Sequence, residues 1–309
     1  MMRFFRSPGT ILTGGGKARP RGNSGFILVT VLWIFAALAA LASLYAVYLG
    51  NTAAAARSYD ARLQLRGLVT AGVELTAYQL IGYDDASRPT SGAFDFRLGR
   101  SQVHAEYRSE GARIDLNAAP KALLAGLFTV LGAKPDEANS FADRIVAWRS
   151  KAADGRQRPE AEAYRAAGLP YGPREAPFLN TAELRLVLGL PPALVNAALP
   201  FLTIYNGRAE IDPNEAPPQV VAAVPKMNPG LMSDILRLRD PRKPQAVMGL
   251  LGEARASFAV GARKATRVLL HIILDTGRPV DADVVFVIAD NSPDPYRIAA
   301  WHDTLDGTF

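Results

Sequence analysis

The 309-residue sequence predicts an α+β protein: a long N-terminal helix and an antiparallel sheet, with a large all-α domain of two related helical modules inserted into the sheet domain. Three observations lead there. Residues Gly22 to Ala56 carry no charged side chain, and Phe26 to Leu49 is an unbroken run of apolar, small and hydroxyl residues. Strand-like segments occur both before and after a central helix-rich region. Within that region IDLNAAPKALLAGLF (Ile114 to Phe128) is echoed by IDPNEAPPQVVAAVP (Ile211 to Pro225).

The apolar run exceeds the roughly 20 residues a helix needs to cross a bilayer. Arg3, Arg6, Lys17, Arg19 and Arg21 precede it without an acidic residue among them. The positive-inside tendency therefore puts the N-terminus in the cytoplasm and the bulk of the chain outside it. These five account for most of the formal charge of +6, so the remainder carries 30 basic against 29 acidic residues and offers no general attraction for nucleic acid. Hydrophobic residues make up 49% of the chain, enough for proper cores. The absence of cysteine excludes disulfides, thiolate catalysis and cysteine-ligated zinc.

Beyond the span, Leu65, Leu68, Gly72, Leu75 and Gln79 recur at spacings of three and four, among polar positions such as Arg57, Asp60, Arg62 and Arg66. Helix continuing to about Leu80 would be roughly 80 Å long, with Gly50-Asn51 as a place to bend. Gly82 to Gly92 reads as turn, and FDFRL and QVHAEYR as paired strands, with His104 on the polar face. In the two echoed segments an Asp or Asn is expected to cap the first helical turn, a proline to suit the helix start and the Leu or Val pairs to bury. Each segment is followed by a basic helix end, IVAWR at Ile145 and ILRLR at Ile235. Ala152 to Arg174 reads as an exposed loop, and Asn180 or Thr181 as a further cap. The basic cluster Arg237, Arg239, Arg242 and Lys243 suits a helix C-terminus and is assigned no ligand. TRVLLHIIL, VDADVVFVIA and YRIAAW supply three closing strands, the first two joined by a turn at DTGR (Asp275).

No G-x-S-x-G, Walker or H-E-x-x-H motif occurs, and His271 and His302 join no triad, so no catalytic residue is assigned. Asp290, Asn291 and Asp294 could offer oxygen ligands to calcium, but they lack an EF-hand spacing and read first as an Asx turn. No cofactor is required, and structural calcium is left unassigned.

The stretch RGNSGFILVTVLW resembles the type IV prepilin-like leader. The resemblance implies cleavage after Gly25 by a prepilin peptidase, methylation of Phe26 and retention of the apolar helix. That group normally carries glutamate at the fifth mature position, where this chain has Thr30. Lack of the glutamate, large size, the segment Phe178 to Gly207 and the ending PYRIAAWHD together resemble the minor pseudopilin K of type II secretion systems. The resemblance implies a single-pass inner-membrane protein with its bulk in the periplasm. It would sit at the tip of the pseudopilus and help start the filament that exports folded proteins. Implied partners are other minor pseudopilins, the major pseudopilin, the peptidase and the inner-membrane secretion platform. The expected divisions are 1–25 leader, 26–50 span, 51–111 helix and first strands, 112–262 insertion (modules 112–207 and 208–262) and 263–309 closing strands. A leader of 25 residues is long for the group. Alternatives are a type IV pilus minor pilin, a membrane-tethered helix-hairpin-helix DNA-binding protein, and a periplasmic enzyme released from a signal peptide near Ala53 to Ala56. Against the last, the apolar run is about twice the length of a signal core. Against DNA binding, LGAKPDEA (Leu131) and PKMNPGLM (Pro225) lack a Gly-x-Gly hairpin, and no nucleic acid is expected.

Overall fold

A computed structural model describes residues 24–84, 87–151, 159–240, 243, 245–261, 264–289 and 292–304. In chain order its elements are α1 (Ser24–Ile81), β1 (Ser91–Leu98), β2 (Ser101–Ser109), β3 (Ile114–Asp115), α2 (Lys121–Val130), α3 (Pro135–Arg149), α4 (Pro159–Ala166), α5 (Pro192–Ala198), β4 (Leu202–Thr203), α6 (Pro218–Ala222), α7 (Pro229–Leu238), α8 (Gln245–Met248), β5 (Ala265–Ile273), β6 (Pro279–Ile288) and β7 (Tyr296–Asp303). The chain divides into two compact units, the first ending at Ala61 and the second starting at Arg62.

The first unit is the outer part of α1. Phe26–Ala53 has a mean hydropathy of 2.5 and none of it is buried, so a helix of this length and composition fits a single membrane span. Residues 1–23, which hold most of the expected leader, lie outside the described residues.

The second unit begins with the remainder of α1, which packs on a five-stranded antiparallel sheet ordered β1-β2-β5-β6-β7. The two strands before the helical region and the three after it close one sheet, and the helical part is inserted between β2 and β5. The buried face of the helix is Leu65, Leu68, Val69, Val73, Ala77 and Leu80, set against Val103, Ala105, Leu270, Ile272, Val284 and Phe286. This differs from the expected stripe at its far end, because Leu75 and Gln79 are exposed and Thr76, Ala77 and Leu80 face the sheet instead. The face follows steps of four through Val69, Val73 and Ala77, and each such step turns about 40° round the helix, so the buried line leaves the expected one. Gly72 permits the closest approach: a Cβ there would stand 2.6 Å from Leu270 Cδ2.

The insertion has its own core, drawn from α2, α3, α4, α5, α6, α7 and the segments between them. Its modules share one plan. In the first, β3 pairs in parallel with β4, Ile114 opposite Leu202; in the second, Ile211 makes the corresponding parallel bridge to Phe258. Gly126 and Ala223, each eleven places after its module's Asp, meet where α2 crosses the end of α6. A Cβ on Gly126 would lie 2.0 Å from the Ala223 carbonyl oxygen. Equivalent positions of the two modules are thus in direct contact.

Two local expectations are corrected. The Asp of each echo does not cap the following helix: α2 and α6 start behind Pro120 and Pro217, which have no side-chain acceptor. The Asp instead closes a separate turn, because the proline already fixes the helix start and supplies no N–H. The stretch expected as loop between Ala152 and Arg174 contains α4, whose Tyr164 is fully buried; Trp148 packs against it at 6.1 Å and its hydroxyl accepts from Leu188 N–H at 2.8 Å. One aromatic anchor outweighs the polar composition around it. The Asn180 cap forms, with Oδ1 accepting from Ala182 N–H at 2.8 Å, but on a 3-10 turn, Thr181–Leu186.

Candidate functional site

Gly25, Phe26 and Thr30 all fall in the opening turns of α1. Thr30 Oγ1 donates to the Phe26 carbonyl at 2.9 Å, and Ser43 and Thr52 close on Ala39 and Tyr48 in the same way at 2.8 and 2.9 Å. Each hydroxyl thus satisfies itself on its own helix. A glutamate at position 30 would present a charge there; the threonine presents none.

The echoed Asp residues are the organising side chains of the insertion. Asp115 Oδ1 accepts from Asn117 and Ala118 N–H at 2.7 and 3.2 Å, and Oδ2 from Gly207 N–H at 2.7 Å. Asp212 Oδ1 accepts from Asn214 N–H at 2.9 Å, and Oδ2 from Gly261 N–H at 3.1 Å. Each carboxylate therefore pins the start of its module to the loop that ends it. Burial lifts both carboxyls above the usual Asp range, against the pull of these amide donors. Asn117 adds a two-way bond to the Phe178 backbone at 3.0 and 2.7 Å, and Phe178 is buried against Trp148. The basic helix ends return to the same turns. Arg149 donates to the Leu116 carbonyl and, at 2.6 Å, to the Ala119 carbonyl; Arg239 donates at 3.3 Å to the Ala216 carbonyl, the equivalent of Ala119. The expected helix-end role of the basic cluster holds for Arg237, paired with Asp234 at 2.8 Å, whereas Arg239 is a turn clamp. Arg242 lies outside the described residues.

The insertion is moored to the sheet at its root. Glu110, fully buried just after β2, pairs with Arg267 of β5 at 2.6 Å, and Arg267 also pairs with Asp283 of β6 at 2.6 Å. Glu215 in the second module accepts from Thr90 and Ser91 hydroxyls, each at 2.8 Å, with Arg108 at 3.7 Å. Asp212 N–H donates to the Gly111 carbonyl at 2.8 Å. Residues far apart in sequence make this mooring, so no local pattern announces it.

The hairpin between α2 and α3 bears on nucleic-acid binding. Leu131, Gly132 and Ala133 N–H donate to Leu127, Thr129 and Phe128 carbonyls, and Lys134 N–H donates to the Glu137 carboxylate. Backbone amides engaged in this way have nothing to give a phosphate. Of the residues weighed for calcium, Asp290 and Asn291 lie outside the described residues and Asp294 is exposed.

A buried-face helix on an antiparallel sheet, an apolar helical extension and a moored helical insertion define a membrane-anchored α+β subunit of pilin-like architecture. Residues 103–207 match the family model described as type II secretion system (T2SS), protein K. Among solved structures, the chain is similar to one in the crystal structure of the GspK-GspI-GspJ complex from the enterotoxigenic Escherichia coli type 2 secretion system. The TM-score is 0.59 at 16% identity, over 80% of this chain and 98% of that one. A comparison with curated protein sequences returns no match. The match over 103–207 is to the family read from the sequence, the minor pseudopilin K of type II secretion, and the solved structure shares the fold.

Proposed function

We propose that the chain acts as a tip minor pseudopilin, by assembly and not by chemistry. The observation that carries the reading is the family match over 103–207, on a fold that otherwise consists of a spanning helix and a pilin-like sheet. Cleavage after Gly25 and methylation of Phe26 would leave α1 to pack beside the corresponding helices of other minor pseudopilins. By analogy with the GspK-GspI-GspJ complex, two such subunits are its direct partners. The peptidase, the secretion platform and the major pseudopilin are met in turn as the filament starts. Thr30, closed on the Phe26 carbonyl, offers no carboxylate to a neighbour's α-amino group. That, with the bulk of the insertion, suits a subunit above which no other is added. The N-terminus faces the cytoplasm and the sheet and insertion the periplasm, where the short filament drives folded proteins towards the outer membrane.

Mass spectrometry of the mature N-terminus in the native membrane is the direct test. Methylated Phe26 is expected; a start near residue 57 would replace this reading with a secreted protein. Thr30→Glu tests the tip: the variant is expected to enter the filament shaft, where the natural chain does not.

A further inference from the structure

The chain has three histidines, and the register of the sheet puts all of them on its solvent face. Asp95, His104, His271 and Asp281 are successive partners across β1, β2, β5 and β6, so they form one row. Glu106, Leu269, Asp283 and His302 form the adjoining row. His104 Nδ1 is 2.8 Å from Asp95 Oδ1, and His271 Nδ1 is 2.6 Å from Asp281 Oδ1. The two carboxylates stand on the outer sides of the pair and each engages Nδ1, so Nε2 is the nitrogen of each ring that they do not take. A carboxylate on Nδ1 is the usual support of an imidazole that binds metal through Nε2.

The spacing agrees with this. His104 Nε2 is 3.3 Å from Glu106 Oε1. Two ligand atoms each about 2.0–2.1 Å from a tetrahedral ion stand about 3.3 Å apart, so an ion can replace the proton that now joins these two. His271 lies directly opposite His104, at a Cβ separation of about 4.5–5.5 Å for such a pair, within reach by rotation of its side chain. Both rings border one groove with Asp95, Phe96 and Gln102. Among the described residues no three such groups already surround one point, so the ion itself draws His271 in.

We propose that this face binds one divalent transition-metal ion of the zinc, nickel or copper class through His104 Nε2, His271 Nε2 and the Glu106 carboxylate, with Asp95 orienting the His104 ring. The ion joins the strand before the helical insertion to the strand after it. Because the unfolded chain does not hold the two histidines together, binding stabilises the fold by mass action.

The test uses the untagged full-length chain in detergent. Calorimetric titration with Zn2+ is expected to give one saturable site and a raised melting temperature, and Cu2+ is expected to show two imidazole nitrogens by electron paramagnetic resonance. His104→Asn and His271→Asn should each weaken Zn2+ binding at least tenfold and remove one nitrogen. His302→Asn should leave binding unchanged. All three positions are at the surface, so metal-free melting temperatures should match the parent and report that the variants fold. No saturable Zn2+ binding, or binding that survives His104→Asn combined with His271→Asn, overturns the proposal.

Discussion

The module that starts at Ile114 and the one that starts at Ile211 build the same turn from the same side chains, but the first is tied more heavily. Asp115 holds three amides from two segments; Asp212 holds two, besides its own Asn214 side chain. Leu116 N–H donates to the Thr203 carbonyl at 2.8 Å, a bond that Pro213 at the equivalent place cannot make. Arg149 clamps two carbonyls where Arg239 clamps one. The helices differ likewise: α2 and α3 run to ten and fifteen residues, α6 and α7 to five and ten. The echoed sequence thus encodes a turn, and the length of chain following it decides how much helix the turn supports.

The largest loss is expected where the two modules touch. Gly126→Ala should cost about 3 kcal/mol, since the new methyl meets a backbone oxygen and neither helix can yield cheaply. Ala223→Gly at the equivalent position should cost less than about 1 kcal/mol, because Ala223 caps the end of α6 and is not in its interior. Thermal melts of the full-length chain in detergent measure both, and equal losses would deny the close crossing.

Removing the turn carboxylates comes next. Asp115→Ala should lose about 2–3 kcal/mol, because three backbone amides lose the acceptor they share, and Asp212→Ala somewhat less. The same melts rank them; the reverse order would overturn the view that the first module is the better tied. Arg149→Ala should cost about 1–2 kcal/mol and Arg239→Ala about 1 kcal/mol or less, for the same reason.

The smallest effect is the dependence on pH. Burial raises the folded-state carboxyls of Asp115 and Asp212, so between the unfolded value and the folded one the native chain holds more protons. Their contribution is full below the unfolded value, about 3.9, and is lost as pH rises through the folded one. Urea titrations from pH 4 to 7 should show this downward slope reduced in Asp212→Ala. An unchanged slope in that variant would mean Asp212 titrates normally.

Much of the fold was legible in the chain. The charge-free run of Phe26 to Leu49 requires an apolar surrounding, and alternation in QVHAEYR and TRVLLHIIL sets which side of each strand is buried. The echo was legible because both copies must spend the same Asp, Asn and Pro on the same turn. What stayed hidden depended on partners remote in sequence. Tyr164 sits in a polar stretch and is held by Trp148, Tyr171 and Leu188. Glu110 looks like any charged residue until Arg267 is placed beside it. Of the first helix, Gly25, Phe26 and Thr30 were readable as residues, but the closure of Thr30 on Phe26 was not.

Periodicity, turn chemistry and hydropathy act over a few residues. They determined the spanning helix, the strands on either side of an insertion and the repeat within it. Register, helix crossing and ion pairing act between segments, and only the tertiary structure decided them. His104, read singly as a strand residue on the polar face, and His271, read only as joining no triad, became neighbours because antiparallel pairing fixes which residues stand opposite.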